Sequence, residues 1–224
     1  MPTSDRIKDK RPSPPPRNNA PSITPVFPLL LLETMRDMDR PDEFMEDEDV
    51  ALSLPRRLGL SDVVGVQIRR FQNEVRLKQP QSVSQVEDLI RLVIRRPDAD
   101  EIFNEAGRRM ARHVWHQRNG AMRQMVRLMP RPVALFAASR AARRLFARVV
   151  GRKTRFSVSR WPLELHIQNS LTARADPGGA ACAFYAGAFS QILEQYTGRR
   201  YRVQHTECEA RGGAECAWTV QIAG

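Results

Sequence analysis

The stretch His205-Thr-Glu-Cys208-Glu-Ala-Arg-Gly-Gly-Ala-Glu-Cys216 carries two of the chain's three cysteines and one of its four histidines. The third cysteine, Cys182, precedes His205 with 22 residues between them, and gaps of two and seven residues separate the other members. Three thiols and one imidazole are the ligand set of a closed tetrahedral zinc site. Unrelated buried cysteines, or a disulfide that leaves one thiol over, would use the same residues. The inventory alone therefore leaves metal binding open.

The pattern around this stretch predicts how the four residues could meet. Residues 201–208 and 215–222 alternate with period two and are joined by a glycine-rich turn, which predicts a hairpin. Residues 181–197 have helical periodicity and end at Gly198, a typical residue after a helix C-terminus. Cys182 would then begin a helix beside the end of a hairpin, where four ligands can converge.

Upstream of this stretch, the periodicity changes from helical to alternating. It predicts five helices and then two strands, over 61–78, 84–95, 98–117, 121–128, 132–150, 155–159 and 163–168. Ser84 and Glu87 predict a capping box for the second helix. In the third helix His113 falls on the apolar face and Trp115 on the opposite one. We predict an α+β fold in which N-terminal helices pack with a small antiparallel sheet.

The N-terminal segment has a different composition. Eight of the first 28 residues are proline, and an acidic run follows over 37–49. We predict a disordered tail over 1–50 and a single ligand-binding domain over 51–224. The apolar run 26–32 is too short to span a bilayer and is expected to dock on the core. Without a recognisable signal peptide, a cytoplasmic location is expected.

The chain is basic, with a net charge of +11, and it has fourteen arginines between 108 and 160. Such a surface attracts nucleic acid, anionic lipid or a ligand with carboxylates, which arginine binds in a bidentate fork. A genome that favours arginine codons would give the same excess. Because no helix-turn-helix or zinc-finger spacing is present, we expect no nucleic acid partner. Peripheral contact with the inner membrane and an exposed apolar stripe on the helices stay open.

The segment Cys182-Ala-Phe-Tyr-Ala-Gly-Ala-Phe, together with the opening stretch extended to Trp218, resembles the 4-vinyl reductase domain over about 155–224. The resemblance implies a small-ligand-binding module related in fold to a Golgi transport tethering subunit. The same module is the effector-sensing part of phenol-responsive bacterial transcription activators.

The resemblance also implies site residues. A structural zinc ion would be held by Cys182, His205, Cys208 and Cys216. The family has Glu where this chain has His205, and Glu207 is a nearby substitute. Trp161 would contact an aromatic ligand, with anchoring of the sheet on the helices as the alternative.

The function that the resemblance implies lies in bacteriochlorophyll biosynthesis. We favour a carrier or accessory factor that binds a magnesium tetrapyrrole intermediate, because the chain lacks a dinucleotide-binding glycine motif and a four-thiolate set for an iron–sulfur cluster. The alternatives are an 8-vinyl reductase, or its subunit, and an aromatic-ligand sensing module. Whether the chain is an enzyme therefore stays open, and no catalytic residue is assigned.

Further expectations concern the ligand and the partners. His113 is the candidate axial ligand of the magnesium, with a hydrogen-bonded core histidine as the alternative. Arginines would pair with a propionate. Magnesium chelatase and the methyltransferase that follows it are the expected protein partners, and a homodimer stays open.

Overall fold

The computed structural model describes residues 22–39, 50–150, 155–158 and 163–222. These ranges contain the α-helices α1 (Val26–Met38), α2 (Val50–Arg76), α3 (Val83–Val93), α4 (Ala99–His116), α5 (Gly120–Arg127), α6 (Arg131–Val150), α7 (Leu171–Ala175) and α8 (Ala183–Thr197). They also contain the strands β1 (Ser22–Ile23), β2 (Gln81–Ser82), β3 (Arg155–Val158), β4 (Glu164–Gln168), β5 (Tyr201–Glu207) and β6 (Cys216–Ile222). Two single-turn 3₁₀ helices, Ala180–Cys182 and Glu209–Arg211, precede α8 and β6.

The sheet that carries the opening stretch is antiparallel, with the strand order β3-β4-β6-β5. Strand β4 pairs with β6 so that Leu165 lies opposite Trp218 and Ile167 lies opposite Cys216. Both β4 residues are fully buried, whereas His166 between them is only partly buried, as expected for a strand with one face on the core. Helices come first and the antiparallel sheet follows, so the predicted α+β class is confirmed.

Helices α4 and α8 cross in backbone contact. A Cβ added to Gly107 would lie 2.1 Å from the carbonyl oxygen of Phe184, and one added to Gly187 would lie 2.0 Å from that of Asn104. Only glycine permits such an approach, because any side chain would overlap the facing backbone. This crossing holds the beginning of α8, and with it Cys182, against the N-terminal half of α4.

Helix α1 lies inside the segment for which composition predicted disorder, and that prediction is wrong for residues 22–39. Phe27 and Leu31 are buried, and the Phe27 ring meets that of Phe184 edge-on at 4.9 Å. The docking predicted for the run 26–32 is therefore confirmed. Pro28 is compatible with the helix because it lies in the first turn, where backbone N–H groups lack intrahelical partners.

Ion pairs fasten the end of α1 to α4. The Arg109 guanidinium binds the carboxylate of Asp37, and Arg96 joins Asp39 at 2.6 Å and Asp98 at 2.9 Å. These pairs are partly exposed, so each contributes little by itself. The predicted disorder of residues 1–21 and 40–49 lies outside the described residues, and the domain boundary at 50/51 stays a prediction.

Three local predictions differ from the structure. Helix α2 begins at Val50 rather than at residue 61. Helix α3 is capped by Ser82, whose hydroxyl accepts from the Gln85 N–H at 3.3 Å, so the capping box at Ser84 is wrong. Trp115 is buried, because α4 is covered on two sides and the indole packs on Tyr196 of α8.

The helices are those of a protein without an evident membrane span. Within the described residues, none of them is both long enough and apolar enough to cross a bilayer.

Candidate metal centre

The structure brings the four candidate ligands together. Cys182 ends the 3₁₀ turn before α8, His205 lies in β5, Cys208 follows β5 and Cys216 begins β6. One ligand atom from each residue lies within 4.8 Å of the others. The three thiols are free and buried, and His205 is partly buried. These residues could therefore hold a metal ion, although the identity of the ion is a matter for proposal.

The spacing of the ligand atoms suits a single ion. The Sγ atoms of Cys182 and Cys216 are 4.0 Å apart. Two thiolates on one tetrahedral zinc ion lie about 3.8 Å apart, given zinc–sulfur bonds of about 2.3 Å. An iron–sulfur cluster distributes its ligands over two or four iron atoms, which needs a wider arrangement. The group therefore fits a mononuclear site with all four positions filled by protein.

His205 is oriented for ligation through Nε2. This atom is buried and has no hydrogen-bond partner among the described residues. An unpaired buried imidazole nitrogen is costly unless it binds something. The ring is held by stacking on Trp218, with centroids 4.6 Å apart and planes at 12°. The opposite nitrogen, Nδ1, lies 3.5 Å from the Arg211 guanidinium.

Hydrogen bonds surround the thiols. Thr172 Oγ1 lies 3.2 Å from the Cys182 sulfur and 2.8 Å from the Ser170 hydroxyl. On the other side of the centre, the backbone N–H of Glu209 donates to the Cys216 sulfur at 3.4 Å. Donors of this kind stabilise thiolate charge and fix the direction of each ligand.

The two closest thiols have opposite shifts of their pKa values. A hydrogen bond with Cys182 is the largest cause that lowers the pKa of Cys216 below its ordinary value, and it outweighs burial. The same bond, together with burial, raises the pKa of Cys182. Two thiols in contact share one proton, so the second ionises readily only when a cation takes up the charge.

A loop that the sequence analysis did not single out positions Cys182. The buried Asp176 accepts hydrogen bonds from the N–H groups of Gly178 at 2.8 Å and Ala181 at 2.7 Å. Gly179 has a φ of +80°, and a Cβ there would lie 2.9 Å from the Cys208 sulfur. The sequence Asp-Pro-Gly-Gly is the signal that could have indicated this tight turn.

Glu207 and His113 lie elsewhere. Glu207 accepts the N–H of Ala214 at 2.9 Å within the hairpin turn, and the cluster contains His205 instead. His113 is partly buried, and its Nε2 is 2.9 Å from the Gln117 amide. Burial lowers its pKa, which favours the neutral imidazole. Trp161 lies outside the described residues, so the ligand-binding roles of His113 and Trp161 stay predictions.

A cleft of about 490 Å³ opens beside the metal centre. One wall is the beginning of α4, and the other comprises the glycine loop, the first turns of α8 and the hairpin. Its lining includes carboxylates, small apolar side chains and two members of the centre's surroundings: Asp100, Glu101, Ala183, Ala186, His205 and Arg211. No sequence pattern indicated this cleft, because its walls are far apart along the chain.

Comparison with known protein families gives one match. Residues 163–222 match the 4-vinyl reductase domain. The matched segment begins just before β4 and ends with β6, so it contains all four candidate ligands and α8. Its 60 residues are about a quarter of the 224-residue chain, and helices α1 to α6 precede them. Searches of curated proteins and of solved structures found no match.

Proposed function

We propose that this protein binds a magnesium tetrapyrrole intermediate as a carrier or accessory factor of bacteriochlorophyll biosynthesis. The observation that supports it best is a 4-vinyl reductase domain whose four metal-ligand candidates can fill a tetrahedral site completely. A zinc ion held in this way has no open position for substrate, which suits a structural role. The sequence resembles the J protein of that pathway, which carries the name bacteriochlorophyll 4-vinyl reductase.

The cleft beside the metal centre is the proposed ligand site. The small side chains of Ala180, Ala183 and Ala186 line one wall, against which a flat macrocycle can lie. Arg211 suits a propionate, which guanidinium binds bidentately. Asp100 and Glu101 on the facing helix offer oxygen, the ligand type that magnesium prefers. The alternative ligands Trp161 and His113 belong to a second location, since His113 is roughly 13 Å further along α4 than Asn104 of the cleft.

The centre and the cleft are coupled through His205. Arg211 can donate to Nδ1 only while that nitrogen lacks a proton. A metal ion on Nε2 would place the proton on Nδ1 and so release the guanidinium towards the cleft. Ligand binding is therefore expected to require a loaded metal centre.

Titration of metal-loaded protein with magnesium protoporphyrin tests this proposal. We expect a shift of the absorption bands at micromolar protein, and an affinity about tenfold lower for Arg211→Gln, which removes one charge-assisted pair. Arg202→Gln, on the exposed face of β5, is the matched control. His113→Gln reports on the second location, and metal analysis confirms that each variant keeps its ion. Absence of any spectral shift would reject the proposal.

The family name favours a second candidate, reduction of the 8-vinyl group. It is tested by mixing divinyl substrate, a reductant and this protein alone. Loss of the 8-vinyl group under these conditions would establish an enzyme, whereas an unchanged substrate that is nonetheless bound supports the carrier. Binding of simple phenols without binding of the tetrapyrrole would support the sensing module instead.

A further inference from the structure

The two faces of α6 have an unusual distribution of side-chain size. The face that is buried in the molecule carries small residues, including Ala134, Ala138 and Ala142. Larger apolar residues face solvent, with Val133 47% and Phe136 59% exposed. A helix that only served the core would have the opposite arrangement, because burying the larger side chain yields more hydrophobic stabilisation.

Exposed apolar residues are concentrated around the end of α5 and the start of α6. Five of the eleven large apolar side chains that are exposed among the described residues fall within 122–136. We name this set the apolar corner: Met122, Met125, Leu128, Val133 and Phe136. Leu128, in the turn between the two helices, is the most exposed at 85%. Clustering of this kind marks a contact surface, unlike single exposed apolar residues, which are ordinary.

The charge around the apolar corner has one sign. From residue 106 to residue 163 the sequence has fourteen arginines and one lysine but no aspartate or glutamate. Arg131, Arg140 and Arg144 on α6 are exposed, and in the part of the chain that the structure describes none of them pairs with a carboxylate. Arg140 follows Phe136 by four residues, so the two side chains share a face of the helix.

We propose that the apolar corner and the arginines of α6 form a docking surface for an anionic phospholipid bilayer. Lipid accounts for both properties at once, since apolar side chains enter the acyl boundary while guanidinium groups remain at the phosphates. Nucleic acid would explain the arginines but not the protruding methionine, leucine and phenylalanine side chains. The protein would lie on the membrane surface, and this inference is independent of the ligand in the cleft.

Flotation of the full-length, metal-loaded protein with vesicles tests the proposal. We expect binding to phosphatidylcholine vesicles that contain phosphatidylglycerol, and at least about tenfold weaker binding to phosphatidylcholine alone. Leu128→Ser with Phe136→Ser should weaken binding by at least about tenfold, because two large apolar side chains leave the acyl boundary. Arg131→Gln with Arg140→Gln should cause a loss of similar size that disappears in high salt, since each charge contributes about fivefold.

The matched control is Leu77→Ser with Leu92→Ser, which removes two leucines that are 54% and 56% exposed and lie away from the apolar corner. This variant should bind vesicles as the wild type does. Failure of the wild type to float with anionic vesicles at low salt would overturn the proposal. So would unchanged binding of the Leu128 and Phe136 variant, or vesicle-independent capture of a short RNA duplex that requires Arg131 and Arg140.

Discussion

Cys208 is held by its surroundings on several sides. Its carbonyl oxygen accepts the N–H groups of Arg211 at 3.1 Å and Gly213 at 2.9 Å, and its sulfur faces the other candidate ligands. The backbone turn and the thiolate position are therefore one unit. A change at the sulfur should be felt in the fold of the hairpin as well as in metal content.

We predict that Cys208→Ser releases the metal and destabilises the protein. An ion present at about 100 times its Kd contributes about 2.7 kcal/mol to the free energy of unfolding, and the variant should lose about this amount. Elemental analysis and thermal unfolding measure the two effects, and a chelator should bring the wild type to the same stability. Glu207→Gln, which can still accept the Ala214 N–H, is the control and should keep the ion. A stable Cys208→Ser protein that retained its metal would contradict the structural role.

His166 gives a prediction on pH. Burial opposes protonation of its imidazole, but hydrogen bonds to Glu215 at 2.7 Å and Glu164 at 3.2 Å outweigh burial and raise its pKa. The folded protein thus holds this proton more tightly than the unfolded chain. The resulting stabilisation is fully present below the ordinary pKa of about 6.5 and is lost as the pH rises through the raised pKa of the folded state.

His166→Gln should therefore lower the free energy of unfolding at about pH 5.5 by a few tenths to about 1 kcal/mol, and by less at about pH 8.5. Urea unfolding of variant and wild type at both pH values measures this. The difference between the two proteins cancels contributions from the cysteines, which titrate alike in both. A larger loss at the higher pH than at the lower one would show that the neutral imidazole is the stabilising form.

Among the elements, the crossing of α4 and α8 depends on two glycines. A methyl group at Gly187 would overlap the backbone of α4, so the helices would have to separate. Gly65 of α2 is the matched control, because a Cβ there would meet only the end of the Arg69 side chain at 3.7 Å.

We predict that Gly187→Ala lowers the free energy of unfolding by about 1–3 kcal/mol, the usual cost of overpacking. Gly65→Ala should raise it by about 0.5–1 kcal/mol, because alanine is the better helix former. Chemical denaturation followed by circular dichroism separates the two outcomes. Similar stability of both variants would mean that the two backbones can part at little cost.

Periodicity predicted most elements correctly, because their apolar residues lie on one face. Helix α8 and the β5–β6 hairpin were predicted within two residues of their bounds. Trp115 was misplaced because α4 is buried on two sides, and a prediction from one apolar arc cannot represent a second contact. Helix α1 was missed because its prolines dominated the composition, although they lie at the helix start, where they do no harm.

For the whole molecule, α1 decides where the folded domain begins. Leu31 is fully buried although it lies in the segment predicted to be a tail. Leu31→Ala should lower the free energy of unfolding by about 2–5 kcal/mol, as buried leucines do. Leu77→Ala, at a residue 54% exposed, is the control and should have little effect. Thermal denaturation of both variants measures this, and an unaffected Leu31→Ala protein would restore the tail as predicted.

The metal centre and the cleft differ in how far the sequence could predict them. His205, Cys208 and Cys216 belong to one hairpin, so their spacing is a local signal, and only Cys182 needed the tertiary fold. The cleft joins the beginning of α4 to the hairpin, and this meeting depends on the glycine contact between α4 and α8. A single Gly in each helix did not announce that contact in the sequence.

The same contact has a consequence for the order in which the protein opens. Amide hydrogens exchange with solvent only when their region unfolds, and the best-packed region opens last. The amides around Gly107 and Gly187 should therefore exchange most slowly of all, at a rate that reports the unfolding of the entire molecule. Amides of the exposed α5–α6 turn should exchange far earlier. Mass spectrometry of exchanged peptides would thus show which part of the chain is the last to remain folded.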